Sequence, residues 1–181
     1  MSRKYKFLNP EGIYFVSFAT VYWIDVFIRD RYFHLLIDSF KYCQDHLGMR
    51  IHAYCLMTSH VHLIFSASHN NPGDLLKSFK TYTSKKLQEL MATDPQESRR
   101  EWMLWMMEKA GEKNSNVKRR QFWQQHNQPV ELWSNHVIDQ KVAYVHENPV
   151  EAGFVNEAEH WKYSSAMDYA GSKGLLNVVF L

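Results

Sequence analysis

Two apolar runs, Ile51 to Met57 and His60 to Ser66, are separated only by Thr58-Ser59. Each has the length and side chains of a strand, and the break between them is short enough for a hairpin. Any fold for this chain has to be built around that antiparallel pair. A third strand, rich in Phe, Tyr, Val and Thr, is expected over Ile13 to Tyr22, after the turn Asn9-Pro10-Glu11-Gly12. Between it and the hairpin, Asp30 to Leu47 carries Tyr32, Leu35, Leu36, Phe40 and Cys43 at helical spacing, and Gly48 follows as a stop.

The second half reads mostly as helix. Asn70-Asn71-Pro72-Gly73 is a turn, and Asp74 is expected to cap a helix with Leu75, Leu76, Phe79, Leu87 and Leu90 on its apolar face. Asp94-Pro95 has the form of a cap and first residue of another helix, with Trp102, Trp105 and Met106 along one face as core or interface residues. Gly111 to Arg120 is a polar, basic loop, and Phe122 to Leu132 is ambiguous. Ser134 caps a last helix, which Pro149 is expected to end at Asn148. Strand, helix, strand, strand, helix, helix, unassigned stretch, helix is the order of an α+β domain: an antiparallel sheet with helices packed on one face. A single domain over 1–181 is expected, with an extra helix and basic loop at about 94–120.

Hydrophobic residues make up 45% and charged residues 22%, an ordinary globular balance. The net charge of +2 argues against a strongly basic, histone-like binder but leaves room for a local basic strip. Cys43 and Cys55 lack the spacing of a zinc ribbon or a disulfide framework, so reduced thiols in a cytoplasmic protein are expected. The longest apolar run, Ile13 to Ile24, is too short and punctuated for a membrane span. It follows the basic start Arg3 to Lys6, but it lacks a small-x-small cleavage site and reads as a buried strand rather than a signal peptide.

On a strand, His60 and His62 share one face, about 7 Å apart, while Val61, Leu63 and Phe65 face the core. Two such imidazoles can close on one metal ion, although the same pair also suits a solvent-facing strand. On the last helix, Tyr144 and Asn148 lie four residues apart on one face, and Val137 and Lys141 extend that stripe. A phenol beside an amide fits a nucleophile next to a metal ligand; it also fits a core tyrosine and a helix cap. His146 points about 200° away from Tyr144 around the helix. Tyr82, in the basic stretch Lys80 to Lys86, is a competing tyrosine.

In combination, Met57-Thr58-Ser59-His60-Val61-His62-Leu63 resembles the histidine-hydrophobe-histidine motif of HUH endonucleases, and more narrowly that of the single-tyrosine transposases. Tyr144 to Val155 (YVHENPVEAGFV) resembles the second signature of their REP-associated branch, and Trp161 to Ala166 (WKYSSA) the segment that follows it. The resemblance runs from about residue 5 to about 170. It implies a ferredoxin-like sheet, Tyr144 as the nucleophile, and His60, His62 and Asn148 as ligands of Mg²⁺ or Mn²⁺. Thr58-Ser59 stands where the family often has Pro-Asn, which should alter only a turn; Glu151 stands where a basic residue is common, which weakens a phosphate contact there.

The implied activity is cleavage and rejoining of single-stranded or hairpin DNA through a 5′-phosphotyrosine, by a monomer or homodimer with no membrane partner. Candidate phosphate contacts are Lys77, Lys80, Lys85 and Lys86 on one helix and Lys113, Lys118, Arg119 and Arg120 in the basic loop. Phe122 and Trp123 are candidates for base stacking or for the core. Three other readings stand beside this one. A replication or conjugation relaxase shares the chemistry, but the 181 residues hold one candidate tyrosine and no helicase region. A non-catalytic nucleic-acid-binding module would keep its activities without Tyr144. A purely structural histidine site would show no DNA affinity even at low salt.

Overall fold

The computed structural model describes residues 6–125 and 127–181; the basic start before Lys6 lies outside them. Strands β1 (Tyr14–Ala19), β2 (Met49–Leu56), β3 (His60–Ala67) and β4 (Val130–Glu131) form one antiparallel sheet in the order β2-β3-β1-β4. Helices α1 (Asp30–Leu47) and α2 (Pro72–Thr93) follow β1 and β3, giving the ferredoxin-like succession β1-α1-β2-β3-α2-β4, with α3 (Arg100–Glu112) inserted after α2. Helix α4 (Asn135–Glu151) and the short α5 (Ala166–Tyr169) follow.

Side-chain alternation divides the sheet into two faces. Val16, Phe18, Val61, Leu63 and Phe65 point into the main core, against Tyr32, Leu36 and Phe40 of α1 and Leu76, Phe79 and Leu87 of α2. The expected helix-covered face is this one. The opposite face carries a smaller cluster of Phe15, Ala53, Cys55, Met57 and Ile64, which Val145 of α4 closes with Leu132. A helix therefore lies on each side of the sheet, and α4 is the one that reaches His60 and His62.

Several boundaries differ from expectation. Asn71, not Asp74, caps α2: its side chain accepts from the Gly73 N–H at 2.8 Å, and Pro72 occupies the first turn. Asp94-Pro95 closes α2 rather than opening α3. Asp94 and Glu97 are drawn inward to cations instead, Arg31 to Asp94 at 2.7 Å and Arg99 to Glu97 at 3.0 Å, and α3 begins at Arg100. The stripe Met103, Met107, Ala110, Gly111 is then the buried one, and Trp102 and Trp105 face outward, 51% and 54% exposed. Gly111 has no Cβ because one would collide with the Arg119 carbonyl, so the basic loop lies directly on α3. Pro149 does not end α4, which runs on to Glu151. Its last turn is closed by the Ala152 N–H donating to Asn148 and the Phe154 N–H to Pro149, with Gly153 at φ 74°. Phe122 and Trp123 are core residues: Trp123 donates its indole N–H to Thr83 Oγ1 at 3.1 Å and lies edge-on to Phe18.

Candidate functional site

His60 and His62 project from β3 on the face covered by α4, with ring centroids 4.7 Å apart. Across β1, their partners are Ala19 and Ser17. The Ser17 N–H bonds the Asn127 carbonyl, away from β3, so the Ser17–His62 pair is of the closely approaching kind that shares no ladder bond. Two small side chains at these positions leave a hollow in front of the imidazoles.

Helix α4 fills one wall of the hollow. Asn148 Oδ1 lies 3.1 Å from His62 Nε2, and its Nδ2 donates to the Tyr144 carbonyl at 2.9 Å, which fixes the amide with its oxygen toward the histidines. Tyr144, 42% exposed, stands edge-on to His62 (5.2 Å between centroids) and to Phe15 (5.9 Å). Lys141 Nζ lies 5.1 Å from the Tyr144 ring and 4.9 Å from Phe15. The helical spacing 141, 144, 148 thus brings a cation, a phenol and an amide to one edge of the histidine pair.

Burial holds the His62 imidazole down to about 3, and the His60 ring and Lys141 add to this against the Asn148 contact. Burial also lowers His60. Both rings are therefore neutral at physiological pH, the form that binds metals. His60 Nδ1 lies 3.2 Å from Ser59 Oγ, which leaves Nε2 for the hollow. His62 Nδ1 is buried with no hydrogen-bond partner among the described residues. Two neutral imidazoles and an oriented amide oxygen, 3.1 Å from His62 Nε2, form a donor set that suits a divalent ion. No group of three or more His, Cys, Asp or Glu that could hold a metal ion occurs among the described residues.

His146 is not part of the site. It is buried on the far side of α4, its Nε2 2.8 Å from Ser165 Oγ, and burial pushes it down to about 4. Tyr82 is exposed on α2, packed on the opposite face of the sheet. Of the basic candidates, Lys85 shares a cleft of about 580 Å³ with Lys118, Arg119 and Arg120. Lys77 is exposed, and Lys86 pairs with Glu89 at 2.9 Å. Lys113 lies apart, beside Tyr22. Lys80 is a correction: its Nζ turns inward, donating to the Gln124 carbonyl at 3.1 Å and to Asn127 Oδ1, over the Phe18 ring, and burial lowers it to about 8. It braces the segment beside β1 and does not face solvent. The sequence pattern leaves Phe15, Ser17 and Ala19 unremarked; only the β1–β3 register makes them neighbours of the histidines.

These elements define a sheet-borne histidine pair served by one helical tyrosine. The chain belongs to the IS200-like transposase family, whose model matches residues 14–148, from the first residue of β1 to Asn148. Among solved structures, it is similar to a REP-associated tyrosine transposase bound to a REP hairpin, with TM-score 0.64 and 16% identity, over 100% of this chain and 95% of the other. At that identity the likeness establishes a shared fold. No curated protein matches the chain. No helix among the described residues is long and apolar enough to cross a membrane.

Proposed function

We propose that this transposase cuts and rejoins single-stranded DNA at hairpin or repeat sequences, with Tyr144 as the nucleophile and His60, His62 and Asn148 holding Mg²⁺ or Mn²⁺. The observation that carries the reading is the meeting of Tyr144, Asn148 and His62 within one chain, through the 3.1 Å His62–Asn148 contact and the 5.2 Å ring contact. A monomer then has a complete site, without a helix from a partner.

A bound divalent ion would neutralise phosphate oxygens and so lower the barrier to in-line attack. The residues of the chain supply the rest. Tyr144 Oη forms a bond to phosphorus, the bond from phosphorus to the 3′-oxygen breaks, and that oxygen leaves as a hydroxyl after taking a proton. The phenol proton passes to water, with Lys141 near enough to favour the developing phenolate. The covalent 5′-phosphotyrosine conserves the bond energy, so a 3′-hydroxyl can reverse the step and reseal DNA. His60, His62 and Asn148, being neutral, would add no negative charge to such an ion. Lys85, Lys118, Arg119 and Arg120 would hold phosphates of the flanking duplex or strand.

The test compares wild type with Tyr144→Phe on labelled hairpin DNA with single-stranded flanks, in Mn²⁺, on a denaturing gel. Cleavage by wild type and loss of at least ~10³-fold in the variant is expected, since the nucleophile itself is removed. Equal cleavage by both would refute the assignment.

A further inference from the structure

After β1 the chain makes a tight turn, Val21–Trp23, in which Tyr22 and Trp23 both have φ 55°. Two consecutive bulky residues in the left-handed region are strained and persist only where the surroundings over-determine them. Here the flanks do so. Val21, Ile24, Val26 and Phe27 are buried, and Thr20 Oγ1 donates to the Ile24 and Ser59 carbonyls at 2.8 and 3.1 Å. The Val21 N–H is held by the Phe122 carbonyl, and Phe27 N–H by Thr58. The two aromatics at the apex do not share this burial: Tyr22 is 45% and Trp23 57% exposed. A buried, braced turn thus displays two aromatic faces to solvent.

Their position gives the display a use. Trp23 lies 5.2 Å from the His60 ring, edge-on, so one of the two is at the rim of the histidine hollow. Both line a cleft of about 500 Å³ with Lys113, Asn114, Gln121 and Gln124. Gln124 donates its N–H to the Ala19 carbonyl and its side-chain Nε2 to the Thr20 carbonyl, while its Oε1 accepts no bond among the described residues. Lys113 Nζ is 5.9 Å from the Tyr22 ring. Aromatic faces for a base, amides for its edge and one cation for its phosphate form the chemistry of a single-strand nucleotide site.

We infer that Tyr22 and Trp23 form a stacking platform that seats an unpaired nucleobase of the strand next to the scissile phosphate, with Gln124 and Lys113 reading its edge and phosphate. The inference rests on the reading of the chain as a single-strand DNA transferase. The platform sets register: it decides which phosphodiester reaches Tyr144.

The test uses the full chain in EDTA and a fluorescent DNA hairpin with single-stranded flanks, selected from a randomised pool for binding to wild type. An abasic site is moved through each flank position in turn, and the affinities of wild type, Tyr22→Ala, Trp23→Ala and Trp23→Phe are compared. For wild type, one flank position is expected to lose about 5- to 150-fold in affinity when abasic, the range of one base–aromatic stack. Trp23→Ala removes that sensitivity and binds the intact probe as weakly as wild type binds the abasic one; Trp23→Phe retains most of it. Thermal unfolding of Trp23→Phe keeps the comparison on a folded protein. A wild-type abasic profile in both alanine variants overturns the inference, as does a uniform loss of affinity with the profile unchanged. If wild type forms a Tyr144 adduct on the same hairpin in a parallel Mn²⁺ reaction while the variants keep its abasic profile in EDTA, only the platform fails. If wild type neither binds nor forms an adduct, the transferase reading fails and the platform with it.

Discussion

Replacing Asn148 with alanine separates the structural from the ligand role of its amide. Among the described residues its Oδ1 is the one hydrogen-bond partner of a His62 ring that is 3% exposed, and His62 Nδ1 has none. Truncation leaves the ring with no partner on either nitrogen. An unsatisfied buried group costs about 1–3 kcal/mol, and the exposed bond from Nδ2 to the Tyr144 carbonyl adds little. For a chain of this size each kcal/mol moves Tm by about 2–4 °C, so a drop of roughly 2–12 °C in chelator is expected. Metal amplifies the difference. At Mn²⁺ one hundred times Kd, wild type gains about 2.7 kcal/mol. Loss of a ligand should weaken binding at least as much as the 10- to 100-fold that outer-sphere losses cost, which reduces the gain to about 0.4–1.4 kcal/mol. Differential scanning fluorimetry with EDTA and with titrated Mn²⁺ reads both effects. An Asn148→Ala protein with the wild-type Tm in EDTA and the wild-type Mn²⁺ shift would refute the reasoning, because the amide would then neither satisfy His62 nor hold the ion.

Other outcomes follow from the same geometry. Ser17→Leu fills the hollow opposite His62 while leaving the basic cleft untouched, so metal-induced stabilisation and cleavage should fall by at least ~10-fold with DNA affinity in chelator unchanged; retained cleavage by a folded variant would show the hollow is not needed. Arg119→Gln and Lys85→Gln should each flatten the dependence of log affinity on log salt by about 0.7–0.9, measured by anisotropy, if each neutralises one phosphate; an unchanged slope removes that residue from the DNA contacts. Burial raises the Glu97 carboxyl, but the hydrogen bonds from Arg99 outweigh it and hold the group below its ordinary range. A carboxylate lowered on folding stabilises above its unfolded pKa of about 4.3, and the contribution is lost as pH falls through the lower folded value. Glu97→Gln should therefore cost about 1.5–3 kcal/mol at pH 7 and flatten the acid side of the stability profile below pH ~4; parallel profiles for the two proteins would contradict this.

Much of the scaffold was legible because its signals are local. Gly48 with φ 71° ends α1 where a glycine was expected, and the alternation Val61, Leu63, Phe65 correctly put His60 and His62 on the other face. The four-residue spacing of Tyr144 and Asn148 correctly put both on one edge of α4. The misreadings came where a tertiary partner outbid a local signal. Asp94-Pro95 has the form of a helix start, but Arg31 draws Asp94 into an ion pair and the helix waits until Arg100. Pro149 breaks a ladder bond, yet packing buries it and α4 continues. Lys80 looked like part of a solvated basic strip until the segment after Trp123 folded over it. The small residues Ser17 and Ala19, and the strained pair Tyr22-Trp23, carry no one-dimensional pattern. They matter through a strand register and a turn that exist only in the folded chain.

The most direct test is to trap the covalent product and locate it. Wild-type protein is incubated with hairpin DNA and Mn²⁺, digested with nuclease and trypsin, and analysed by mass spectrometry. Cleavage after Lys141 and Lys162 gives a peptide, Val142 to Lys162, in which Tyr144 is the single tyrosine. The account predicts a nucleotide attached through phosphate to that peptide, absent with EDTA and absent from Tyr144→Phe. A nucleotide on another peptide, such as Thr81 to Lys85 with Tyr82, or cleaved DNA with no protein adduct, would contradict it.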